Sequence, residues 1–198
     1  MPKGIPLTEA EQSRRRHEIF AAVAPLFLEH GFTETSMREI ALAAGMGKSS
    51  LYDYFKTKDE ILIWYFEDEI EDMAVMAREI ASQPLPAIEK LRQILHKQLE
   101  FLLENKAFYL KLSFEIQRLG AESQQRIHVK RHEYQDLLRS LIEQGIQEGA
   151  FRQVDTLLAT RILLTALTPV VFTSRPTGTP AEMLDEAFNL FLHGVQAV

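Results

Sequence analysis

Residues Ser36 to Phe55 read SMREIALAAGMGKSSLYDYF, and this stretch decides the fold class. Its apolar positions predict two short helices, in which Ile40 and Leu51 can both face inward. Gly45 lies between the two helices and permits a tight turn. Isolated helices shorter than about 12–15 residues are marginal in water, so neither helix can persist alone. We therefore predict a helix-turn-helix unit whose short helices pack against a longer helix that precedes them.

Helical periodicity extends along the whole chain. Apolar residues recur at three- and four-residue steps, and no alternating run bounded by turns predicts a strand. Four helix starts carry capping boxes, in which a hydroxyl and a carboxylate satisfy the first amide groups: Thr8-x-x-Glu11, Ser36-x-x-Glu39, Thr57-x-x-Glu60 and Thr179-Pro180-x-Glu182. The predicted helices cover about 9–30, 37–44, 48–55, 58–81, 85–105, 106–119, 122–148, 155–173 and 180–196.

These patterns predict an all-α fold of about nine helices. An N-terminal three-helix head contains the helix-turn-helix, and a larger C-terminal helical body follows it. The second and third helices are short, whereas the later ones are longer, and this change in helix length marks the boundary. We place the head at residues 1–56 and the body at residues 57–198.

The composition narrows the function classes. The 198-residue chain has no cysteine, which excludes disulfides, thiolate zinc sites and iron–sulfur clusters. Its formal net charge of −6 argues, taken alone, against a nucleic-acid partner. The acidity is uneven, however, because residues 1–58 carry a net charge of +1 and residues 59–198 carry −7. No apolar stretch suits a secretory signal or a membrane span, so we expect a cytoplasmic protein without a membrane partner.

The motifs that would indicate an enzyme are incomplete. Gly47-Lys48-Ser49 suggests a phosphate-binding loop, but that motif needs a preceding strand and a glycine where this chain has Leu42. His128 and His132 have the i, i+4 spacing of metal ligands, yet basic residues lie between them and no carboxylate partner is evident. We therefore expect no catalytic site, no metal site and no cofactor.

The region from Phe27 to Lys58 resembles the DNA-binding head of the TetR family of bacterial transcriptional regulators. The marks that carry the resemblance are Gly31-Phe32, Thr35-Ser36, Ile40-Ala41, Ala44-Gly45, Leu51-Tyr52, Tyr54-Phe55 and Lys58. The order and spacing of glycines, hydroxyls and aromatics all coincide over about thirty residues. The body matches in length, in helical character and in its final segment from Ala187 to Gly194.

The resemblance implies which side chains meet DNA. The second predicted helix would touch the backbone or base edges through Thr35, Ser36 and Arg38. The third would form the recognition surface, and the fourth would meet a phosphate at its start. The recognition residues are Lys48, Ser49, Ser50, Tyr52 and Asp53, and the phosphate contact is Lys58. Asp53 is unusual here, because an acid repels phosphate unless it accepts a hydrogen bond from a cytosine amino group.

The resemblance also implies two sites in the body. The last two predicted helices would pair with a second copy of the chain through Leu163, Leu164, Leu167, Leu184, Phe188, Phe191 and Val195. An apolar pocket with a few polar anchors would hold a small-molecule effector. Its candidate lining is Trp64, Phe101, Phe108, Phe114, Gln117, Tyr134, Thr165, Thr168 and Phe172. For any one of these aromatics, a plain core role is the alternative.

The function that follows from the resemblance is a homodimeric, ligand-responsive DNA-binding regulator of transcription. Twofold symmetry requires a roughly palindromic operator of double-stranded DNA. The resemblance favours a repressor that a partly apolar effector releases, and an activator of the same fold is the first alternative. A helical protein-binding adaptor is the second. An adaptor would lack the DNA affinity, falling steeply with salt concentration, that a regulator has.

Overall fold

The computed structural model describes residues 8–195 of the chain. Within that range the chain forms ten α-helices and no β-strand, which confirms the predicted all-α fold. The helices are α1 (Glu9–Glu29), α2 (Met37–Ala43), α3 (Lys48–Tyr54), α4 (Lys58–Ala81), α5 (Ala87–Glu104), α6 (Lys106–Ile116), α7 (Ala121–Gln147), α8 (Thr156–Thr165), α9 (Leu167–Val171) and α10 (Pro180–Val195). None of these helices is long and apolar enough to cross a membrane.

The tenth helix arises because one predicted helix, over residues 155–173, is broken in two. The break falls at Ala166, whose amide donates to Leu163 O at 3.1 Å in a tightened turn. Pro169 explains its position, since proline has no N–H for the carbonyl four residues earlier and its ring crowds that carbonyl. That carbonyl belongs to Thr165, the last residue of α8. The predicted helix is thus interrupted at one residue, Ala166, whose backbone keeps right-handed helical angles (φ −60°, ψ −25°).

Capping boxes begin three of the helices as predicted. The pairs Thr8–Glu11, Ser36–Glu39 and Thr179–Glu182 each form both reciprocal hydrogen bonds. The box at Thr57 is only half formed. The Thr57 hydroxyl accepts from the Glu60 amide at 3.1 Å, but the Glu60 carboxylate accepts from the amide of Lys56 instead of that of Thr57.

The chain divides into two compact units. The first contains residues up to Phe66 together with Ala107–Gln124, and the second contains Glu67–Lys106 together with residues from Gln125 onward. The first unit therefore holds most of α6 in addition to the predicted three-helix head. Both α4 and α7 contribute to each unit. The assignment of residues 1–56 and 57–198 as functional domains stays a prediction.

The core of the first unit joins the three head helices to α4 and α6. Buried apolar side chains come from each of α1, α2 and α3: Ile19, Val23, Phe27, Ile40, Ala41 and Leu51. An aromatic layer adds to them. The ring of Phe20 stacks on Tyr65 with centroids 3.9 Å apart, and both rings meet the edge of Phe108 from α6. Burial of this apolar surface is what holds the short helices in place.

The core of the second unit is a continuous cluster drawn from α4, α5 and α7 to α10. It includes Ala77, Leu91, Ile94, Leu138, Ile142, Leu163, Leu184 and Phe188. A polar link joins α5 to α10 at its edge. Asp185 Oδ1 accepts from Arg92 at 2.8 Å and lies 3.0 Å from His96 Nε2. The hydrogen bond with His96, supported by Arg92, lowers the pKa of the Asp185 carboxyl.

The turn between α2 and α3 depends on Gly45, which has a φ of 63°. The Gly45 amide donates to Leu42 O at 3.1 Å, and the Met46 amide donates to Ala41 O at 3.0 Å. This pair of bonds is the Schellman arrangement that satisfies the last carbonyls of a helix. A residue with a Cβ atom adopts this backbone conformation only at a cost in free energy, whereas glycine adopts it readily.

We expect Gly45→Ala to lower the free energy of unfolding by about 1–2 kcal/mol, the cost of a left-handed conformation for an L-residue. A Cβ atom at Gly45 would meet open space, so the loss comes from the backbone alone. Gly47→Ala is the matched control, because Gly47 has a φ of −69° and its Cβ would lie 3.9 Å from its nearest neighbours. Urea unfolding of both variants checks the difference. Equal stabilities would contradict the account of the turn.

Candidate nucleic-acid interface

The turn from α1 into α2 positions the first candidate residues. Gly31 has a φ of 90°, and its carbonyl accepts a hydrogen bond from the Thr35 hydroxyl at 2.7 Å. The next residue, Ser36, is the N-cap of α2, and its hydroxyl accepts from the amide of Glu39. These local bonds begin α2 at a defined residue and leave the Ser36 side chain exposed.

The buried and exposed faces of α2 and α3 differ sharply in chemistry. Ile40 and Leu51 are fully buried against the head. The exposed side chains of the two helices are mostly polar, and they include Ser36, Arg38, Lys48, Ser49, Ser50 and Asp53. Tyr52 is half-buried, with the Lys48 ammonium 5.7 Å from its ring centroid. Except for Tyr52, the predicted recognition residues of α3 are thus exposed, and they include hydroxyl and cationic donors suited to phosphates and base edges.

Thr35 does not belong to that surface. Its side chain is only 2% exposed, and its hydroxyl is used by Gly31 O. The expectation that the Thr35 side chain contacts DNA is therefore corrected, because a buried hydroxyl that closes a turn cannot reach a groove. The residue stabilises the turn that precedes α2.

Lys58 also differs from the expectation. Its ammonium donates to three backbone carbonyls, those of Phe32 at 2.8 Å, Thr33 at 2.6 Å and Thr35 at 3.2 Å. It lies 5.0 Å from the centroid of the Phe32 ring. The side chain thus points at the turn between α1 and α2 rather than extending freely into solvent.

Leu42 is a surface residue that the sequence analysis did not select. It is 80% exposed, and it follows Arg38 by four residues, so both lie on one face of α2. An exposed leucine beside a polar surface can contact the methyl group of thymine. Its position in the helical repeat could have indicated this exposure, because Leu42 does not lie on the face of α2 that Ile40 and Ala41 bury.

The predicted effector-pocket residues are not brought together. Phe114 is 65% exposed, and Gln117, Thr165, Thr168 and Phe172 also lie on the surface. Trp64 packs edge-on against His17 in the first unit, and Phe108 lies in its aromatic layer. Tyr134 is buried in the second unit, where its hydroxyl donates to Gln98 Oε1 at 3.1 Å and burial raises its pKa. For most of these residues the plain core or surface role applies.

Phe101 alone among that set borders a cleft described in the second unit. The cleft lies between α4 and α5 and has a volume of about 360 Å³. Its lining combines Met73, Met76 and Phe101 with polar residues: Glu69, Asp72, Lys97, Glu104 and Asn105. Flexible methionine side chains beside an aromatic ring can adapt to an apolar ligand.

The predicted dimer residues are buried within the protomer. Leu163, Leu167, Leu184, Phe188, Phe191 and Val195 belong to the core of the second unit, and Leu164 is packed against it. Leu163, Leu167, Leu184 and Phe188 are used by the protomer core and leave little surface for a partner. Leu164 is partly exposed, and Phe191 and Val195 line a surface groove, so their place in an interface stays a prediction. The exposed apolar side chains of the same helices are Leu158, Ile162 and Leu190, which is 66% exposed. These three border a groove of about 410 Å³ between α8 and α10.

Comparison with known proteins places both parts of the chain. Residues 19–63 match the family described as bacterial regulatory proteins, tetR family. Residues 84–195 match the family described as tetracyclin repressor-like, C-terminal domain.

Individual relatives align over most of their length. The fatty acid metabolism regulator protein of Bacillus subtilis (strain 168) is 25% identical over 165 residues, which are 82% of this chain and 85% of that protein. The HTH-type transcriptional repressor KstR2 of Rhodococcus jostii (strain RHA1) is 28% identical over 169 residues, or 84% and 83%. A crystal structure of the regulator FadR from B. subtilis in complex with stearoyl-CoA has the same fold, with a TM-score of 0.78, 23% identity and coverage of 91% and 99%.

We expect Thr35→Val to lower the free energy of unfolding by about 1 kcal/mol, because it removes a buried hydrogen bond without changing the side-chain volume much. Thr33→Val is the control, since Thr33 is exposed and surface substitutions usually stay within about 0.5 kcal/mol. Thermal or urea unfolding measures both. A Thr35→Val protein as stable as the Thr33→Val protein would contradict the structural role of the Thr35 hydroxyl and leave it a candidate DNA contact.

Proposed function

Because the chain belongs to the tetR family of bacterial regulatory proteins and is a ligand-responsive DNA-binding regulator of transcription, we propose that it is a repressor. It binds a palindromic operator as a homodimer and is released by an effector with a long apolar chain. It acts in the cytoplasm, where that operator lies. The observation that carries the proposal is the polar, exposed surface of α2 and α3 over a fully buried apolar one.

The DNA contacts divide by their chemistry. Arg38 and Lys48 are exposed cations at the two helices and neutralise phosphates, which fixes the register of the head on the duplex. Ser49 and Ser50 offer exposed hydroxyls that reach phosphates or base edges, and Tyr52 lies beside them, whereas the Ser36 hydroxyl is held by Glu39 in the capping box of α2. Helix α3 enters the major groove, which is about 12 Å wide and admits one helix.

Asp53 adds selectivity rather than affinity. The residue is exposed on α3, five positions after Lys48. Its carboxylate repels phosphate oxygens, but it can accept a hydrogen bond from the N4 amino group of cytosine. The proposal therefore assigns Asp53 to a base edge and leaves the phosphate contacts to the cations.

The second copy of the chain covers the apolar groove between α8 and α10. Leu158 and Ile162 lie four residues apart on one face of α8, and Leu190 projects from α10 at the other side of the groove. Exposed apolar residues that border one groove are typical of an interface. A symmetric interface of this kind pairs two heads, which explains the requirement for a palindrome.

The effector is proposed from the relatives together with the α4–α5 cleft. The B. subtilis relative is a fatty acid metabolism regulator, and the B. subtilis FadR structure contains stearoyl-CoA. The cleft of this chain has Met73, Met76 and Phe101 as its apolar lining. We assign the apolar chain of the effector to these three residues. Repression rather than activation follows the KstR2 relative, which is named a repressor.

The function is tested by selecting bound DNA from a random pool and then adding stearoyl-CoA. We expect a palindromic operator, and we expect stearoyl-CoA to weaken operator binding by about 5- to 150-fold, the usual range of allosteric coupling. Coenzyme A without an acyl chain is the control and should have no effect. Operator binding that stearoyl-CoA leaves unchanged would contradict the proposed effector, and the absence of any selected sequence would contradict the operator.

We expect Leu190→Glu to shift the protein from dimer to monomer at micromolar concentration, since it places a charge in a buried apolar contact. The matched control is Leu110→Glu on α6, because Leu110 is similarly exposed but lies in the first unit. Light scattering coupled to gel filtration gives the mass of each. A dimeric Leu190→Glu protein would mean that another surface forms the interface.

A further inference from the structure

Lys58 has no donor left for DNA. A lysine ammonium carries three N–H donors and no acceptor. The Lys58 ammonium donates all three, to the carbonyl oxygens of Phe32, Thr33 and Thr35 at 2.6–3.2 Å. A phosphate could be bound only by giving up one of these bonds.

The position of Lys58 at the start of α4 shows that its charge does not stabilise that helix. It is the first residue of α4, and the N-terminal end of a helix is its positive end, where a cation is unfavourable. The carbonyls that it meets lie in the segment that follows α1, between Phe32 and Thr35. Its stabilising contribution therefore goes to the turn between α1 and α2, not to α4.

A second lysine acts in the same region. Lys111 of α6 donates through its ammonium to the carbonyl of Leu28, in the last turn of α1. The two cations reach one short region from two different helices. Orphan carbonyls at the end of a helix need such partners, and a cation there is favourable.

The anchored segment leads directly into the recognition unit. Thr35 closes the turn by its bond to Gly31, and Ser36 caps α2. Only residues 44–47 separate α2 from α3, so the orientation of α3 follows that of α2. Whatever fixes the carbonyls of residues 32–35 also fixes both short helices.

We propose that Lys58 is a positioning residue, which ties the first turn of α4 to the start of α2 and is not a phosphate contact. The proposal deepens the proposed function, since it reassigns one of the predicted DNA contacts to the positioning of the recognition helices. It rests on that function for DNA binding, but the anchoring itself can be measured without DNA.

The test compares Lys58→Met with Lys48→Met in the full-length protein. Each variant loses one ammonium and keeps an unbranched side chain, and Lys48 is exposed on α3. Amide hydrogen exchange of the free proteins is measured first. We expect Lys58→Met to raise exchange in residues 31–36 by about tenfold or more, because hydrogen bonds to charged donors are strong, while Lys48→Met leaves that segment unchanged. Unchanged exchange in Lys58→Met would overturn the anchor.

The second measurement is the salt dependence of binding to the selected operator and to unrelated DNA. Loss of one phosphate contact reduces the slope of log affinity against log salt by about 1, so for Lys48→Met we expect a reduction of about 2, because both heads of the homodimer lose the contact. For Lys58→Met we expect an unchanged slope and a loss of operator affinity of about tenfold or more, larger than the loss on unrelated DNA. A reduced slope would make Lys58 a phosphate contact. Equal losses of affinity for the operator and for unrelated DNA would contradict a role in positioning the recognition helices.

Lys58→Gln keeps the test decisive if the methionine variant does not fold. Glutamine removes the charge but retains two N–H donors, so the anchor predicts an unchanged salt slope and a smaller rise in exchange. A phosphate contact predicts the reduced slope for this variant too. If the unmodified protein binds no DNA, the proposed function fails, while hydrogen exchange still decides whether Lys58 anchors the turn.

Discussion

The recognition unit exists only because its apolar face is buried. Helices α2 and α3 have seven residues each, too few to persist in water, where helices below about 12–15 residues are marginal. Ile40, Leu51 and Phe55 are almost completely buried in the first unit, and this burial supplies the stability that the helices lack. On the outer face, the Ser36–Glu39 capping box also helps to begin α2. The exposed serines, cations and carboxylate that remain are the side chains that the proposed function assigns to DNA.

The overall acidity is compatible with that role because charge is separated along the chain. Residues 1–58 have a net charge of +1, whereas residues 59–198 have −7. In the second unit, cations are matched to carboxylates: Arg126 binds Glu67 with two hydrogen bonds, and Lys130 binds Glu71. The Lys130 ammonium lowers the pKa of the Glu71 carboxyl, which keeps this pair ionised. The head instead relies on a few cations in particular places, as the contrast between exposed Lys48 and anchored Lys58 illustrates.

Sequence patterns predicted the local structure well and the surfaces less well. Capping boxes and the Gly45 turn depend on residues that are close in sequence, so the helix starts and the turn between α2 and α3 could be predicted. Leu163 and Ile162 are both apolar and adjacent, yet one is in the core and the other on the surface. Residue type does not distinguish a protomer core from a dimer interface. The rotation of α8 about its axis determines which of the two side chains is buried. Thr35 was misassigned for a similar reason, because a hydroxyl that closes a turn and one that meets DNA look identical in sequence.

The most direct test of the central claim is the salt dependence of operator affinity in the unmodified protein. If two heads bind phosphates through Arg38 and Lys48, four contacts in all, log affinity falls linearly with log salt, by roughly 10²-fold between 50 and 200 mM. The acidic body should not abolish that dependence. An affinity that does not change with salt would contradict the account, because the exposed surface of α2 and α3 would then not be binding the charged backbone of DNA.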